Sequence, residues 1–287
     1  MSLLHRDLLL HWVLRIFALL ASLIVGLIAI FLIVESFPVL NHVGLLAFFS
    51  DASWHPTEQL FNLLPMLWAS LMVVVGALIL SIPLSLLSAL FCEFYAPTRL
   101  AVIYRRIIEL LAGIPSVIYG FWGLVVLVPI IASIEAPGTS LLAGILVLSF
   151  MILPTLTLFA ITAFHNISQQ QIANSMALGI SKAGFICHVI LPLARPALLA
   201  GTVLQTGRAI GETMALLMVC GNVVQTPSHL FEPMRTLTSN IALEMAYAMD
   251  DHRSALFVSG FILLLIVIGL VILSNLLVKE PNDTHTV

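Results

Sequence analysis

An arginine and a glutamate, Arg208 and Glu212, stand within the run Gly207-Arg-Ala-Ile-Gly-Glu-Thr-Met-Ala215. Apolar sequence flanks them, Pro196-Ala-Leu-Leu-Ala-Gly-Thr-Val-Leu-Gln-Thr206 before and Leu216-Leu-Met-Val-Cys220 after. A charge at the centre of a bilayer costs roughly 2.5–3.5 kcal/mol on insertion scales. Charges kept there must face protein or water, and the default reading is a pathway for an ion or polar solute. On a continuous helix Gly201, Gln205, Arg208 and Glu212 fall in one narrow sector of a mostly apolar surface. This stripe is expected to face the interior of a bundle. Arg208 offers a planar cationic fork suited to an oxyanion in transit. Glu212 would orient it or moderate its hold, because a transporter must release its cargo. The simpler reading is an i,i+4 pair that neutralises itself. Against that, a buried ion pair often stabilises no better than apolar residues of equal volume.

The elements that carry these residues follow from composition. The chain has 287 residues, of which 61% are hydrophobic and 9% charged, against about 25% charged in soluble domains. This predicts an all-α polytopic membrane protein forming a single transmembrane domain over 1–287. A β-barrel is excluded, because barrel strands alternate apolar and polar over about 10 residues. The net charge of −3 gives no reason to expect nucleic acid. Cys92, Cys187 and Cys220 have no metal-binding spacing and read as small core residues. Lys182 and Lys279 are the only lysines, and neither follows glycine. A phosphate-cradling loop ending in Gly-Lys-Ser/Thr is therefore absent. The chain is not expected to be an enzyme or to hold a cofactor; any ATP would be hydrolysed by another polypeptide.

Six segments have the length of membrane spans: roughly Trp12–Val34, Leu63–Phe91, Ile107–Ile134, Leu141–Phe164, Leu193–Cys220 and Ala255–Val278. The first exceeds the apolar core of a signal peptide and is expected to be a retained anchor. With the N-terminus inside, Arg6, Arg15, Arg99, Arg105, Arg106, Lys182, Arg195 and Lys279 are cytoplasmic, while Arg235 and Arg253 are outside. That bias predicts both termini on the cytoplasmic face. Arg99–Arg106 is expected to be a short basic inner turn, with Glu109 near Arg105 or Arg106. Pro115 is expected to kink the third span, and Gly113, Gly120 and Gly123 to let helices approach closely. Residues 35–62 and Gly221–Arg253 are expected to be outer loops. His55, His165, His188 and His229 share no ligand spacing.

The cytoplasmic stretch 165–192 is patterned. Residues 172–178 favour a short helix, Gly179 suits its C-terminal end, and Pro192 can open the next span. Gly179, nine residues, then Val189-Ile-Leu-Pro192 resembles the coupling motif of ABC-importer permeases: Glu-Ala-Ala, three residues, Gly, nine residues, Ile-x-Leu-Pro. The family's Glu-Ala-Ala falls on Ala173, Asn174 and Ser175, so its acidic residue is missing. The resemblance implies that the loop, including Gly179, Leu191 and Pro192, docks onto an ATPase subunit. The run Glu109-Leu-Leu-Ala-Gly-Ile-Pro-Ser-Val-Ile-Tyr-Gly-Phe-Trp-Gly-Leu124 is similar to a segment of the phosphate-specific (Pst) permeases, as are Leu191–Ala197 and Gly207–Ala215. Thr213-Met-Ala and Trp54-His-Pro-Thr look like the C type of that family.

The resemblance implies an ABC type I importer permease fold in a bacterial plasma (inner) membrane. It also implies an A-type permease partner, two ATP-binding subunits, an external or periplasmic phosphate-binding protein and phosphate as cargo, with membrane lipid around the bundle. Arg208, Glu212 and Gln205 would line the pathway. Two other readings compete: a permease of this architecture for sulfate or molybdate, and a channel or ion-coupled transporter. The latter often shows inverted repeats, and none is evident here.

Overall fold

The structure, a computed structural model, describes residues 2–167 and 180–277. Apolar runs punctuated by proline and glycine fold as helices, because a bilayer cannot satisfy exposed backbone N–H and C=O groups. In chain order they are α1 (Ser2–His42), α2 (Ala47–Ser50), a small hairpin of β1 (Trp54–His55) and β2 (Leu60–Phe61), and α3 (Leu64–Leu90), prolonged by a π turn over Phe91–Tyr95. Next come α4 (Thr98–Ala112), α5 (Ser116–Trp122), a π turn over Gly123–Leu127, α6 (Val128–Ala132) and α7 (Leu141–His165). After the undescribed stretch follow α8 (Lys182–Phe185), a π turn over Ile186–Ile190, α9 (Leu191–Ile210), α10 (Met214–Val219), α11 (Leu237–Glu244) and α12 (Asp250–Leu277). Among the described residues five helical runs are long and apolar enough to cross a membrane, and a sixth forms if α4 and Ser116–Ala132 count as one bent span.

The expected spans are present, with three corrections. The third is broken rather than kinked: its two halves meet at 90°. Gly113 closes α4 with its N–H on the Glu109 and Leu110 carbonyls, and Pro115 bars continuation. The Tyr119 hydroxyl donates to the Leu111 carbonyl at 2.9 Å, satisfying an acceptor that the break would strand. The expected basic turn at Arg99–Arg106 is part of α4, a 15-residue helix with only Ile108 buried. Basic and apolar residues share its two faces, and Arg105 Nε pairs with Glu109 Oε1 at 3.2 Å.

The fifth span runs over Lys182–Ile210 instead of Leu193–Cys220. It starts early because the Ser181 hydroxyl accepts the Gly184 N–H and caps the first turn. A π turn then absorbs the approach to Pro192, which sits in the first turn of α9. It ends early at Ile210, where Gly211 is the C-cap.

The chain forms two compact units. One comprises residues up to Leu63 together with Glu244–Leu265. Its core is aromatic: Phe48 stacks on Phe61 at 5.8 Å, and Trp54 meets Phe61 edge-on at 5.9 Å. Glu244 is buried, and its carboxylate accepts hydrogen bonds from Trp54 Nε1 at 2.9 Å and His252 Nε2 at 2.8 Å. Trp54→Phe keeps the ring but withdraws one donor from that carboxylate. The expected result is a loss of about 1–3 kcal/mol, read as a lower thermal midpoint of the purified protein. An unchanged midpoint would show that the bond adds nothing.

The other unit comprises Leu64–Leu243 with the chain from Ile266 onward. Its centre is α7, whose apolar window is two-thirds buried, 67% against 33% for α3. Val73, Ala77, Ile145, Leu148, Ile152, Ala215 and Leu216 share one core. Close approach depends on glycine. A Cβ on Gly120 would stand 2.7 Å from Ala215 Cα, and one on Gly123 would stand 2.5 Å from Val147 Cγ2. A second core joins the end of α3 and α7 to the start of the fifth span through Ala89, Phe164, Phe185, Ile186 and Ile190. Of the three cysteines, Cys92 and Cys220 are buried, while Cys187, in the π turn before α9, is exposed.

Residues 221–243, expected as open outer loop, are substantially packed inward. Thr236, Thr238, Ser239 and Asn240 are all buried. Met234 N–H bonds to the Cys220 carbonyl at 2.8 Å, and Leu141 N–H to the Glu232 carbonyl at 2.9 Å. The Ser228 backbone N–H and hydroxyl both donate to the Glu232 carboxylate, holding it below the usual carboxylate range.

Candidate functional site

Arg208 lies in the last turn of α9 and is exposed on this chain. Two turns back Gly201 packs on α7: its Cβ position is 3.2 Å from Phe159 Cβ. Gln205, buried, places Oε1 at 3.0 Å from the Thr155 hydroxyl, which also donates to the Ile152 carbonyl at 2.8 Å. Gly201, Gln205 and Arg208 therefore keep the shared helical phase.

Glu212 leaves that phase. The helix stops at Ile210, and Gly211–Thr213 form an irregular link to α10. Glu212 Oε1 accepts the Ala215 N–H at 3.2 Å, where a carboxylate complements the partly positive start of α10. Arg208 forms no ion pair with Glu212 or with any other described carboxylate. The self-neutralising i,i+4 pair is thus not formed, since the fourth residue is no longer on the helix. What offsets the arginine is the C-terminal end of α9, which carries roughly half a negative charge.

Gln205 and Arg208 line an open cleft of about 920 Å³, and Glu212 does not reach it. Thr155, Phe159, Thr162, Leu204, Gln205 and Arg208 form one side, and Val267, Leu270 and Val271 of α12 complete it. Such a cleft offers one planar cation, an amide and two hydroxyls on largely apolar walls, which suits a small oxyanion better than a cation or a bulky apolar ligand.

Thr155 and Thr238 were not among the expected site residues. Thr155 is legible only as a hydroxyl beside Pro154 on a long apolar helix. Thr238 belongs to the polar run Thr236-Leu-Thr-Ser-Asn240, whose hydroxyl density is its one signal. Of the expected coupling residues, Leu191 is half-buried and Pro192 exposed at the start of α9. Ala173, Asn174, Ser175 and Gly179 lie outside the described residues.

Comparison with known proteins fits this geometry. Residues 81–280 match the family described as binding-protein-dependent transport system inner membrane component. A probable ABC transporter permease protein of Bacillus subtilis, YqgH, is 38% identical over 236 residues, 80% of this chain and 76% of that protein. The phosphate transport system permease protein PstC of Xylella fastidiosa is 32% identical over 262 residues, 82% of this chain and 81% of that one. Among solved structures, a bacterial alginate ABC transporter chain superposes with a TM-score of 0.65 at 16% identity, covering 98% of this chain and 99% of that one. A chain of the MetNI methionine transporter gives 0.62 at 18% identity, covering 78% and 97%. The bent third span and the interrupted fifth are thus set in the fold of type I ABC-importer permeases. The chain belongs to the binding-protein-dependent transport inner-membrane family, among its PstC-type permeases.

Proposed function

We propose that the chain is one of two permease subunits of an ATP-driven phosphate importer in a bacterial inner membrane. The observation that carries this reading is Arg208: a cation without a described carboxylate partner, presented at a cleft by a chain related to PstC proteins. An A-type permease closes the cleft from the other side. Two ATP-binding subunits act on the cytoplasmic face, where 165–192 docks, and an external phosphate-binding protein delivers the anion to the outer loops. Both termini are cytoplasmic, in keeping with the Lys/Arg bias.

In transit the anion exchanges water for the Arg208 guanidinium, with Gln205 and Thr155 as neutral neighbours. The opposing end of α9 weakens the hold of Arg208, so that phosphate leaves when ATP-driven closure reshapes the pathway. The chain performs no covalent step.

The test is uptake of labelled phosphate by cells whose only phosphate importer contains this chain. Uptake blocked by excess phosphate and not by sulfate is the expected result; block by sulfate alone overturns the assignment. Gly179→Trp is expected to uncouple the complex: uptake falls to background while ATP turnover continues in the reconstituted assembly. Normal coupling in that variant would remove Gly179 from the docking role.

A further inference from the structure

The irregular link Gly211–Thr213 leaves two backbone problems beside Arg208. The Glu212 carbonyl lies in the link, outside both helices, and α10 is too short to hold its own position. The structure solves both with the inward-packed segment 235–240. The Thr238 hydroxyl donates to the Glu212 carbonyl at 2.8 Å. The Thr236 hydroxyl accepts the Ser239 N–H at 3.2 Å, which starts α11. The Leu237 N–H donates to the Ser70 hydroxyl of α3 at 2.9 Å, and that hydroxyl donates to the Met66 carbonyl at 2.7 Å.

The same segment reaches the far end of α10. Arg235 Nε donates to the Asn222 carbonyl and Nη1 to Asn240 Oδ1, both at 2.9 Å. Asn222 Nδ2 in turn donates to the Leu217 carbonyl at 2.8 Å. A six-residue helix is thereby clasped at both ends and anchored to α3. Its remaining face lies on α5 at the Gly120–Ala215 contact. The turn that carries Arg208 is held from one side by Ala209, fully buried in the core, and by Gln205 against Thr155; the Thr238 bond to the Glu212 carbonyl fixes its far end.

We propose that Thr238 is a positioning residue for the anion pathway, fixing through the Glu212 carbonyl where the Arg208 guanidinium stands. The inference rests on the reading of Arg208 as the anion-contacting residue. It assigns no ligand contact to Thr238 itself. Thr238 is buried, and its hydroxyl meets the Glu212 carbonyl and the Thr236 hydroxyl. Glu212, on this account, acts as part of the joint: its carboxylate starts α10 and its carbonyl receives Thr238.

The distinguishing measurement compares Thr238→Val, Thr238→Ser and Arg208→Gln in the full complex reconstituted with its binding protein. Assembled complex is quantified, and phosphate moved and ATP hydrolysed are counted per complex. Valine keeps the shape and loses the donor; serine keeps the donor. Thr238→Val is expected to lower phosphate moved per ATP by about tenfold, the equivalent of one net hydrogen bond at its upper range. Thr238→Ser is expected to restore the wild-type ratio. A role confined to folding would lower the amount of complex and leave that ratio unchanged. If Thr238→Val matches wild type per complex while Arg208→Gln is inactive, the positioning role falls and the phosphate pathway stands. If Arg208→Gln itself transports normally, the underlying reading falls. If Thr238→Ser loses coupling as Thr238→Val does, the hydroxyl is not the operative group and the inference also falls.

Discussion

Arg208→Gln is expected to reduce phosphate uptake by about 10- to 100-fold while the complex still assembles. The range follows from losing a charge-assisted hydrogen bond, roughly 1.5–3 kcal/mol. Glutamine matches much of the reach and polarity of arginine but has one amide instead of a charged fork, so it cannot meet two oxyanion oxygens at once. The structure also says why folding should survive. Arg208 is exposed on this chain and forms no ion pair with a described carboxylate, so the substitution strands no buried countercharge. Lys at the same place would keep the charge and lose the fork, and intermediate transport is expected. Measurement is labelled-phosphate uptake, with co-purification of the ATP-binding subunit as the assembly control. Wild-type uptake by Arg208→Gln would remove the residue from the pathway.

Gly120→Val is expected to be the most disruptive single change in the membrane region. A β-carbon there would lie 2.7 Å from Ala215 Cα, 3.0 Å from Met218 Sδ and 3.3 Å from the Ala215 carbonyl oxygen. Met218 can swing aside, but the backbone of α10 can move only if α5 and α10 separate. Overpacking of that kind typically costs about 1–3 kcal/mol or more. Here it falls on the contact between the second half of the third span and the peptide beyond Arg208. The expected result is little mature complex in the membrane and, in what assembles, uptake well below wild type. A chain that accumulates and transports normally would show that the two helices can part without penalty.

The apolar spans and the place of the disturbance at Pro115 are legible because bilayer length and proline chemistry act locally, whereas its being a 90° break and not a kink is not. The interruption after Ile210 was written in the sequence too, as Gly211 followed by Glu-Thr. Extending one helical phase through that glycine put Glu212 on the stripe with Arg208. In the fold Glu212 serves the next helix, because an N-terminal N–H attracts a carboxylate more cheaply than a bundle interior accepts one. Gln205 kept its place because nothing interrupts the turns between it and Gly201. The inward packing of Thr236–Asn240 was not legible. Hydropathy reads a Thr-Ser-Asn run as loop, and the partners that let it be buried include Ser70 and Glu212, distant in sequence, beside Arg235 next to the run. The coupling motif shows the opposite case: its spacing stands out in the chain although Ala173–Ser175 and Gly179 lie outside the described residues.

The three thiols differ in a way that bears on observing the transporter at work. Cys220 is sealed beside the Cα of Gly144, and Cys92 is enclosed near the end of α3. Cys187 alone is exposed, on the turn that leads into the Arg208 helix. The native chain therefore carries one address for a maleimide fluorophore. On the proposed reading a dye there would sit between the docking loop and the cleft at Arg208, so transport could be followed from a position that no engineered cysteine has to create.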